Sequence, residues 1–285
     1  MKINYISPLK HKYLQILGTI DKVPDKLYYI GSLPKLRQPT VAIVGTRKPT
    51  PYGKEVTEKL ASELAAKGIV IISGLALGVD GIAHSAALKA KGTTLAVLAN
   101  GLDHIYPAAH QSLAESIIAS GGAILSEYSP DTPARSYQFL ERNRIVSGLA
   151  DAIIITEAAA RSGTLNTAMH ALAQGKEVFV VPGNITSPMS LGCNTLLKQG
   201  ATPILSANDV LEVIAPDLLK PNAQLPLGDN QLENDIIALL AKGLRDGDEI
   251  QQQLKISASD LSVALTMLEI NGAIHALGAN QWTLR

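Results

Sequence analysis

Cysteine is almost missing from this 285-residue chain, where Cys193 stands alone. A lone cysteine excludes an internal disulfide and any multi-cysteine metal centre. Aromatic residues are scarce too, at 4% with two Phe and one Trp, so an extended stacking platform is not expected. Formal net charge is zero, which excludes a simple basic coat for a polyanion. No stretch reaches the roughly eighteen apolar residues of a membrane helix. The opening "MKINYISPLKHKYLQ" has no unbroken apolar core, so no signal peptide is evident and a cytoplasmic location is expected. Nucleotide motifs are missing as well. "VGTRKPTPYG" breaks a G-x-G-x-x-G after the first apolar run, and no G-x-x-x-x-G-K-[ST] occurs, so a nucleotide-fuelled motor is not expected. No H-E-x-x-H or paired His/Asp set suggests a metal. Ser73 in "SGLALG" is not a nucleophile elbow. Only Glu127 and Glu157 stand as acids at strand ends, and no reaction can be assigned to them. No cofactor, metal or catalysis is expected.

What is present is order. Apolar residues make up 46% and charged residues 18%, the balance of a globular protein long enough for one large domain and a small one. Strand-like runs fall at Val41–Val44, Ile69–Ile72, Thr94–Leu98, Ala123–Leu125, Ala152–Ile155, Val178–Val181 and Pro203–Leu205. Amphipathic stretches lie between them at Gly53–Lys67, Asp80–Lys91, His110–Ser120, Gly163–Gln174 and Met189–Gln199. Continuous apolar strands alternating with helices predict an α/β fold, a doubly wound, mostly parallel sheet of extended Rossmann type. Residues 39–214 would form it. Residues 1–38 read as a strap running onto that domain, with "LYYIGSL" at Leu27–Leu33. The proline-rich stretch 215–229 reads as a linker. Residues 230–285 give three helices (Asn230–Leu240, Asp248–Leu254, Ser257–Asn271) and then a hairpin, the order of a winged helix.

Ligands of such sheets sit outside the carboxyl ends of the strands, where this chain concentrates its polar turns. The first run ends in Gly45-Thr46-Arg47 and the second in Ser73-Gly74, with Asp80 and His84 beyond. "SGT" at Ser162–Thr164 opens a helix whose free N–H groups and dipole favour an anion, and Arg161 adjoins it. Arg142, Asn143 and Arg144 stand just before the fifth run, where a core position would demand partners. Arg47, Arg142, Arg144 and Arg161 are expected to converge on one rim. Each signal also has a plainer reading. Arg142 and Arg144 could pair with Glu141 and Asp151, and His84 could be a satisfied helix histidine.

The blocks "VAIVGTRKPTPYG", "SGLALGVDGIAHSAAL", "VLANGLDHIYPAAHQSL", "RNRIVSGLAD" and "EAAARSGTLNTAMHALAQGKEVFVVPG" stand in the order found in the DNA-processing protein A (DprA/Smf) family. The chain resembles that family over residues 40–205. The resemblance implies a protein that binds single-stranded DNA without catalysing a reaction. It also implies protection of incoming DNA in natural transformation, help in loading RecA recombinase, and a homodimer formed through the Rossmann-type domain. The implied DNA pocket comprises Gly45, Thr46, Arg47, Ser73, Gly74, His84, Arg142, Asn143, Arg144, Arg161, Ser162, Gly163 and Thr164, with Lys198 at its edge. Leu140 replaces the family's usual proline, and Arg161 stands where lysine is common. The 38 residues ahead of the sheet are too few for the SAM-like domain many members carry.

Charge separates the two ends of the chain. Residues 1–50 hold nine Lys/Arg and two Asp/Glu, whereas residues 229–285 hold four and eight. The third helix of the winged-helix segment contains Asp260 and Glu269 and no Lys or Arg, so groove binding by bulk phosphate attraction is not expected of it. Two other readings compete. A phosphoribohydrolase with P-G-G-x-G-T-x-x-E would need an acid three residues beyond Thr164, and that position is Thr167. A winged-helix transcriptional regulator would need a basic third helix.

Overall fold

The computed structural model describes residues 2–219 and 228–284. In chain order the first unit, Met1–Leu219, runs β1 (Asn4–Ile6), β2 (Leu27–Gly31), β3 (Thr40–Val44), α1 (Pro51–Ala66), β4 (Val70–Ser73), α2 (Val79–Lys89), β5 (Thr94–Val97) and α3 (Gln111–Ala119). It continues with β6 (Ala123–Ser126), α4 (Ser136–Leu149), β7 (Ala152–Ile155), α5 (Gly163–Ala173), β8 (Glu177–Val180), α6 (Leu191–Lys198), β9 (Thr202–Pro203) and α7 (Ala207–Ile214). Nine strands form one sheet in the order β1-β2-β6-β5-β4-β3-β7-β8-β9. From β6 to β9 every pair is parallel, while β1 on β2 and β2 on β6 are antiparallel. The fold is therefore the mostly parallel α/β sheet expected.

Alternate residues of the central strands supply two cores. Ala42, Val44, Ile72, Val97, Ile153 and Val180 face one layer with Ile145 and Leu149 of α4 and Ala168 of α5. Val41, Ile43, Ile71, Ile154 and Phe179 face the other with Leu60 and Leu64 of α1, Ala83 of α2 and Leu211 of α7. Burial on both faces explains why these strands read as unbroken apolar runs. The chain leaves β3 in one direction along the sheet, towards β6, and returns to lay β7 on its other side. The β3–β7 boundary is thus the topological switch point, where a crevice opens at the carboxyl ends.

Three features differ from the sequence reading. Residues 1–38 do more than strap the domain: β1 and β2 extend the sheet itself, and Tyr13, Leu14, Leu17 and Leu27 are fully buried in its core. The Tyr13 hydroxyl lies 2.9 Å from Thr40 Oγ1 at the start of β3. The last strand is shorter, Thr202–Pro203, and a helix follows it, α7, capped reciprocally by Ser206 and Asp209. The third difference is α4, a 14-residue helix that carries the Arg142–Arg144 cluster. Its buried face includes Gln138, Arg142 and Ser147, so the apolar period of a helix is blurred.

The second unit, Lys220–Arg285, holds α8 (Gln231–Ala241), α9 (Gly247–Leu254), α10 (Ala258–Ile270) and the hairpin of β10 (Ile274–Gly278) with β11 (Gln281–Leu284). Ile236, Ile237, Leu240, Ile250, Leu265, Leu268 and Ile274 form its own core. Asn230, Asp246 and Ser257 cap the three helices through side-chain oxygens that accept N–H bonds. Of the linker expected at 215–229, residues 216–218 form a short 3-10 turn, and 220–227 lie outside the described residues. No helix among the described residues is long and apolar enough to cross a membrane.

Candidate nucleic-acid interface

A cleft of about 710 Å³ opens at the switch point. Its first wall is the turn after β3. Thr46 N–H donates to Glu157 O at 2.8 Å, and Val79 N–H donates to Thr46 O at 3.2 Å, which pins the turn between β7 and α2. Only glycine fits at position 45, because a Cβ would meet Val79 Cγ2 at 2.6 Å. The pinned turn holds Arg47 and Lys48 outward, both exposed at the cleft rim. Glu157 braces the same wall from beneath. It is 2% exposed and accepts bonds from Thr50 N–H at 2.8 Å and Thr50 Oγ1 at 2.6 Å, beside the first turn of α1.

The opposite wall is the start of α5. Ser162 caps it, its Oγ accepting from Thr164 N–H at 3.2 Å. Gly163, the first helical residue, lines the cleft, so the positive end of the helix dipole faces it. Exposed Arg161 adds a full charge there. Three ion pairs form among the described residues, and none involves Arg47, Lys48 or Arg161. Three cations and a helix terminus thus face one concavity with no counter-charge on them.

The third wall is the start of α4. Phe139 and Tyr106 pack with ring centroids 5.6 Å apart and planes tilted by 59°. The Arg47 guanidinium carbon lies 5.5 Å from the Phe139 centroid, a cation–π contact that orients the fork. The low aromatic content gave no hint of this pair. Tyr106 and Phe139 are 33 residues apart in sequence, and only the fold brings them together at the cleft. Two rings suit one or two bases and still not an extended stack. Leu140 also lines the cleft, as do Lys48 and Met189, which had not been singled out.

Of the fourteen expected site residues, the cleft gathers nine: Gly45, Thr46, Arg47, Arg142, Asn143, Arg161, Ser162, Gly163 and Thr164. Arg142 arrives as floor and not as rim. It is 4% exposed, and its NH1 donates to Gly74 O at 2.8 Å and to Val97 O. Asp80 completes this layer, accepting from Gly74 N–H at 3.1 Å and Ala76 N–H at 3.3 Å. Burial pushes the Asp80 carboxyl up, while Arg142 and those N–H groups pull it back. Burial likewise lowers Arg142, and Asp80 opposes that effect. Gly74 has no room for a Cβ, which would meet the Arg142 guanidinium at 2.5 Å. Asn143 Nδ2 donates to Asn166 Oδ1 at 3.3 Å, joining α4 to α5 beside the cleft.

Five expected residues are not in the cleft: Ser73, Gly74, His84, Arg144 and Lys198. Ser73 is fully buried and donates to Ile43 O at 2.6 Å, tying β4 to β3. Gly74 serves as the seat of Arg142. Arg144 turns the other way and forks onto Glu127, with N–O distances of 2.7 and 2.6 Å. Burial works against its charge, yet Glu127 holds its pKa above the ordinary arginine value. The carboxylates expected as plain partners for these arginines, Glu141 and Asp151, do not take that role. Arg144 takes only the Glu141 backbone carbonyl, and Asp151 pairs with Arg37 at 2.6 Å. Lys198 ends α6 at the exposed surface.

His84 is wholly buried in α2, with Nδ1 2.7 Å from Thr94 Oγ1. Thr94 Oγ1 gives its own proton to Ile71 O at 2.8 Å, so Nδ1 is the donor and Nε2 an unprotonated acceptor without a partner among the described residues. Burial lowers the His84 pKa from 6.5 to about 3, with His110 and Arg142 adding to the effect. Between those values the unfolded chain binds one more proton than the folded one. The stability from the neutral ring is therefore complete above about pH 6.5 and lost as pH falls towards 3, by roughly 1.4 kcal/mol per pH unit. The wild-type chain should lose about 2 kcal/mol more between about pH 7 and pH 5 than a His84→Asn variant, read from urea unfolding. Parallel pH profiles for the two proteins would refute the assignment.

Both units of the chain match known proteins. A family model described as DNA recombination-mediator protein A matches residues 4–215, and one described as the DprA winged helix domain matches 220–280. Protein Smf of Escherichia coli is 45% identical over 198 residues, 70% of this chain and 53% of that protein. DNA processing protein DprA of Bacillus subtilis is 43% identical over 211 residues, 74% of this chain and 71% of that one. The chain thus spans about half to seven-tenths of the length of these relatives. The crystal structure of DNA processing protein A from Streptococcus pneumoniae superposes with a TM-score of 0.70 at 39% identity, covering 75% of each chain. That of Helicobacter pylori, described for its single-stranded DNA binding mode, gives 0.67 at 36% identity, covering 76% of this chain and 97% of its own.

Proposed function

The chain belongs to the DNA recombination-mediator protein A family, and on that premise we propose that it binds single-stranded DNA in the switch-point cleft without catalysing a reaction on it. One observation carries the reading: Arg47, Lys48 and Arg161 face the cleft without ion-pair partners among the described residues, opposite a helix N-terminus. Charges left unpaired on a shaped concavity suit a row of phosphates. The Tyr106–Phe139 pair beside them suits an unpaired base, which a duplex does not offer.

The acids support the absence of chemistry. Glu157 is committed to Thr50 and Glu127 to Arg144, so neither is free to serve as a general base. Thr167 lines the cleft where a phosphoribohydrolase would need its glutamate. The proposal includes protection of incoming DNA in transformation, help in loading RecA recombinase, and a cytoplasmic setting. It also includes a homodimer formed through the first unit. The sheet ends there at the two-residue strand β9, and Leu205, two residues beyond it, is 85% exposed, as an edge covered by a second copy would leave it.

The winged-helix unit is given no duplex-reading role. Its α10 carries Asp260 and Glu269 with no Lys or Arg, and Val263, Met267 and Ile270 are exposed on it. Gel-shift titrations at two salt concentrations test the whole reading. The full chain should prefer a single strand to the same sequence as duplex by about tenfold or more, with affinity falling steeply with salt. A fragment of residues 228–284 should shift neither. Equal affinity for both forms would sink the cleft assignment, and tight duplex binding by the fragment would restore the winged helix as a DNA head.

A further inference from the structure

A second groove, of about 820 Å³, begins where the cleft ends. Arg47 and Lys48 line both, so the two concavities share one rim. The groove runs between α1, α2 and the turn at Ala108–His110 that precedes α3. Its charge is uneven. Arg47, Lys48, Lys54 and Lys89 stand against one carboxylate, Glu58, among the described residues that line it.

Lys89 closes α2, where a cation suits the helix dipole, but Lys54 does nothing for its own helix. Lys54 lies one turn from the N-terminus of α1, where the dipole disfavours a cation, and that first turn holds no acid. Lys54 and Lys48 form no ion pair among the described residues. Lys89 does touch Glu58, at 2.6 Å, but both side chains are more than half exposed, at 71% and 51%. Such exposed surface pairs contribute little, so a competing phosphate can take Lys89 over. His110 is fixed against the groove wall. Its Nδ1 donates to Leu75 O at 2.8 Å, and Gly81 leaves the space its ring occupies, since a Cβ there would meet Cε1 at 2.5 Å.

We propose that this groove is a second stretch of the nucleic-acid path, taking the single strand past Arg47 and holding its phosphates on Lys48, Lys54 and Lys89. The inference rests on the cleft reading and adds to it a longer footprint. The groove has no Phe, Tyr or Trp in its lining, so it reads chiefly backbone charge and not bases.

Oligothymidylates of about 5 and about 20 nucleotides separate the two sites, the shorter filling the cleft alone. In the full chain the longer strand should bind more tightly and with a steeper salt dependence. Lys54→Glu with Lys89→Glu should weaken the longer strand about tenfold, lower its salt slope by about 1.4, and leave the shorter unchanged. Glu58→Gln should strengthen the longer strand a few-fold and leave the shorter unchanged, an opposite sign that misfolding cannot imitate. Equal tightness of both lengths in the wild type, or variants that affect both lengths alike, would overturn the groove and leave the cleft standing. If the wild type bound neither length, the cleft reading itself would fall.

Discussion

Arg142→Ala should lower the stability of the first unit by about 3 kcal/mol or more, a fall of roughly 6 to 12 °C in its unfolding temperature. The loss would come from what the guanidinium leaves behind. Gly74 O and Val97 O, at the ends of two neighbouring strands, would lose their donor, and Asp80 its counter-charge, all in the buried floor of the cleft. A buried charge stripped of its partner is among the few causes of losses this large. Arg142→Lys should recover only part of it, because a compact ammonium does not fill the seat that the planar guanidinium occupies against Gly74. Differential scanning calorimetry gives the stability change. Salt titration of DNA binding, at a temperature where the variant is folded, gives the second half: the slope should not move, since this guanidinium touches carbonyls and not phosphates. An unchanged unfolding temperature with a reduced salt slope would return Arg142 to the binding surface.

That residue also shows where the sequence could be read and where it could not. The six strands β3 to β8 were visible because they are buried on both faces and therefore largely apolar throughout. The turn glycines, Arg47 and the Ser162–Thr164 helix start were visible because strand ends and helix caps leave local chemical marks. Helix α4 was not visible, and its absence from the reading misplaced two arginines. Residues two apart on a helix project about 200° apart. Arg142 and Arg144 therefore cannot share a rim: one runs under the cleft to the strand ends, and the other turns away to Glu127. Asn143, between them, is the member of the trio that lies beside α5. Strands β1 and β2 escaped for a different reason. They are an edge pair in which only Leu27 and Ile30 are buried, and β1 has three residues, too few to show a period. The Tyr106–Phe139 contact was beyond reach because no local pattern records the meeting of a loop with a distant helix.

Arg47→Ala combined with Arg161→Ala should weaken single-strand binding by about a hundredfold or more, the loss of two charge-assisted contacts. The salt slope should fall by about 1.4, at roughly 0.7 for each phosphate released. Both side chains are exposed and outside every ion pair among the described residues, so folding stability should change by no more than about 0.5 kcal/mol. Phe139→Ala isolates the other half of the site. It should weaken binding through lost base stacking, about 1 to 3 kcal/mol, while the salt slope stays where it was. The two variants therefore divide affinity along different axes, charge in one and stacking in the other. Arg47→Lys should lie between wild type and alanine, because its charge survives while the fork over the Phe139 ring is lost. Fluorescence anisotropy over a range of salt concentrations reads affinity and slope together. A double variant that keeps the wild-type slope would mean that the polynucleotide's phosphates lie elsewhere, and the cleft would lose its claim to them.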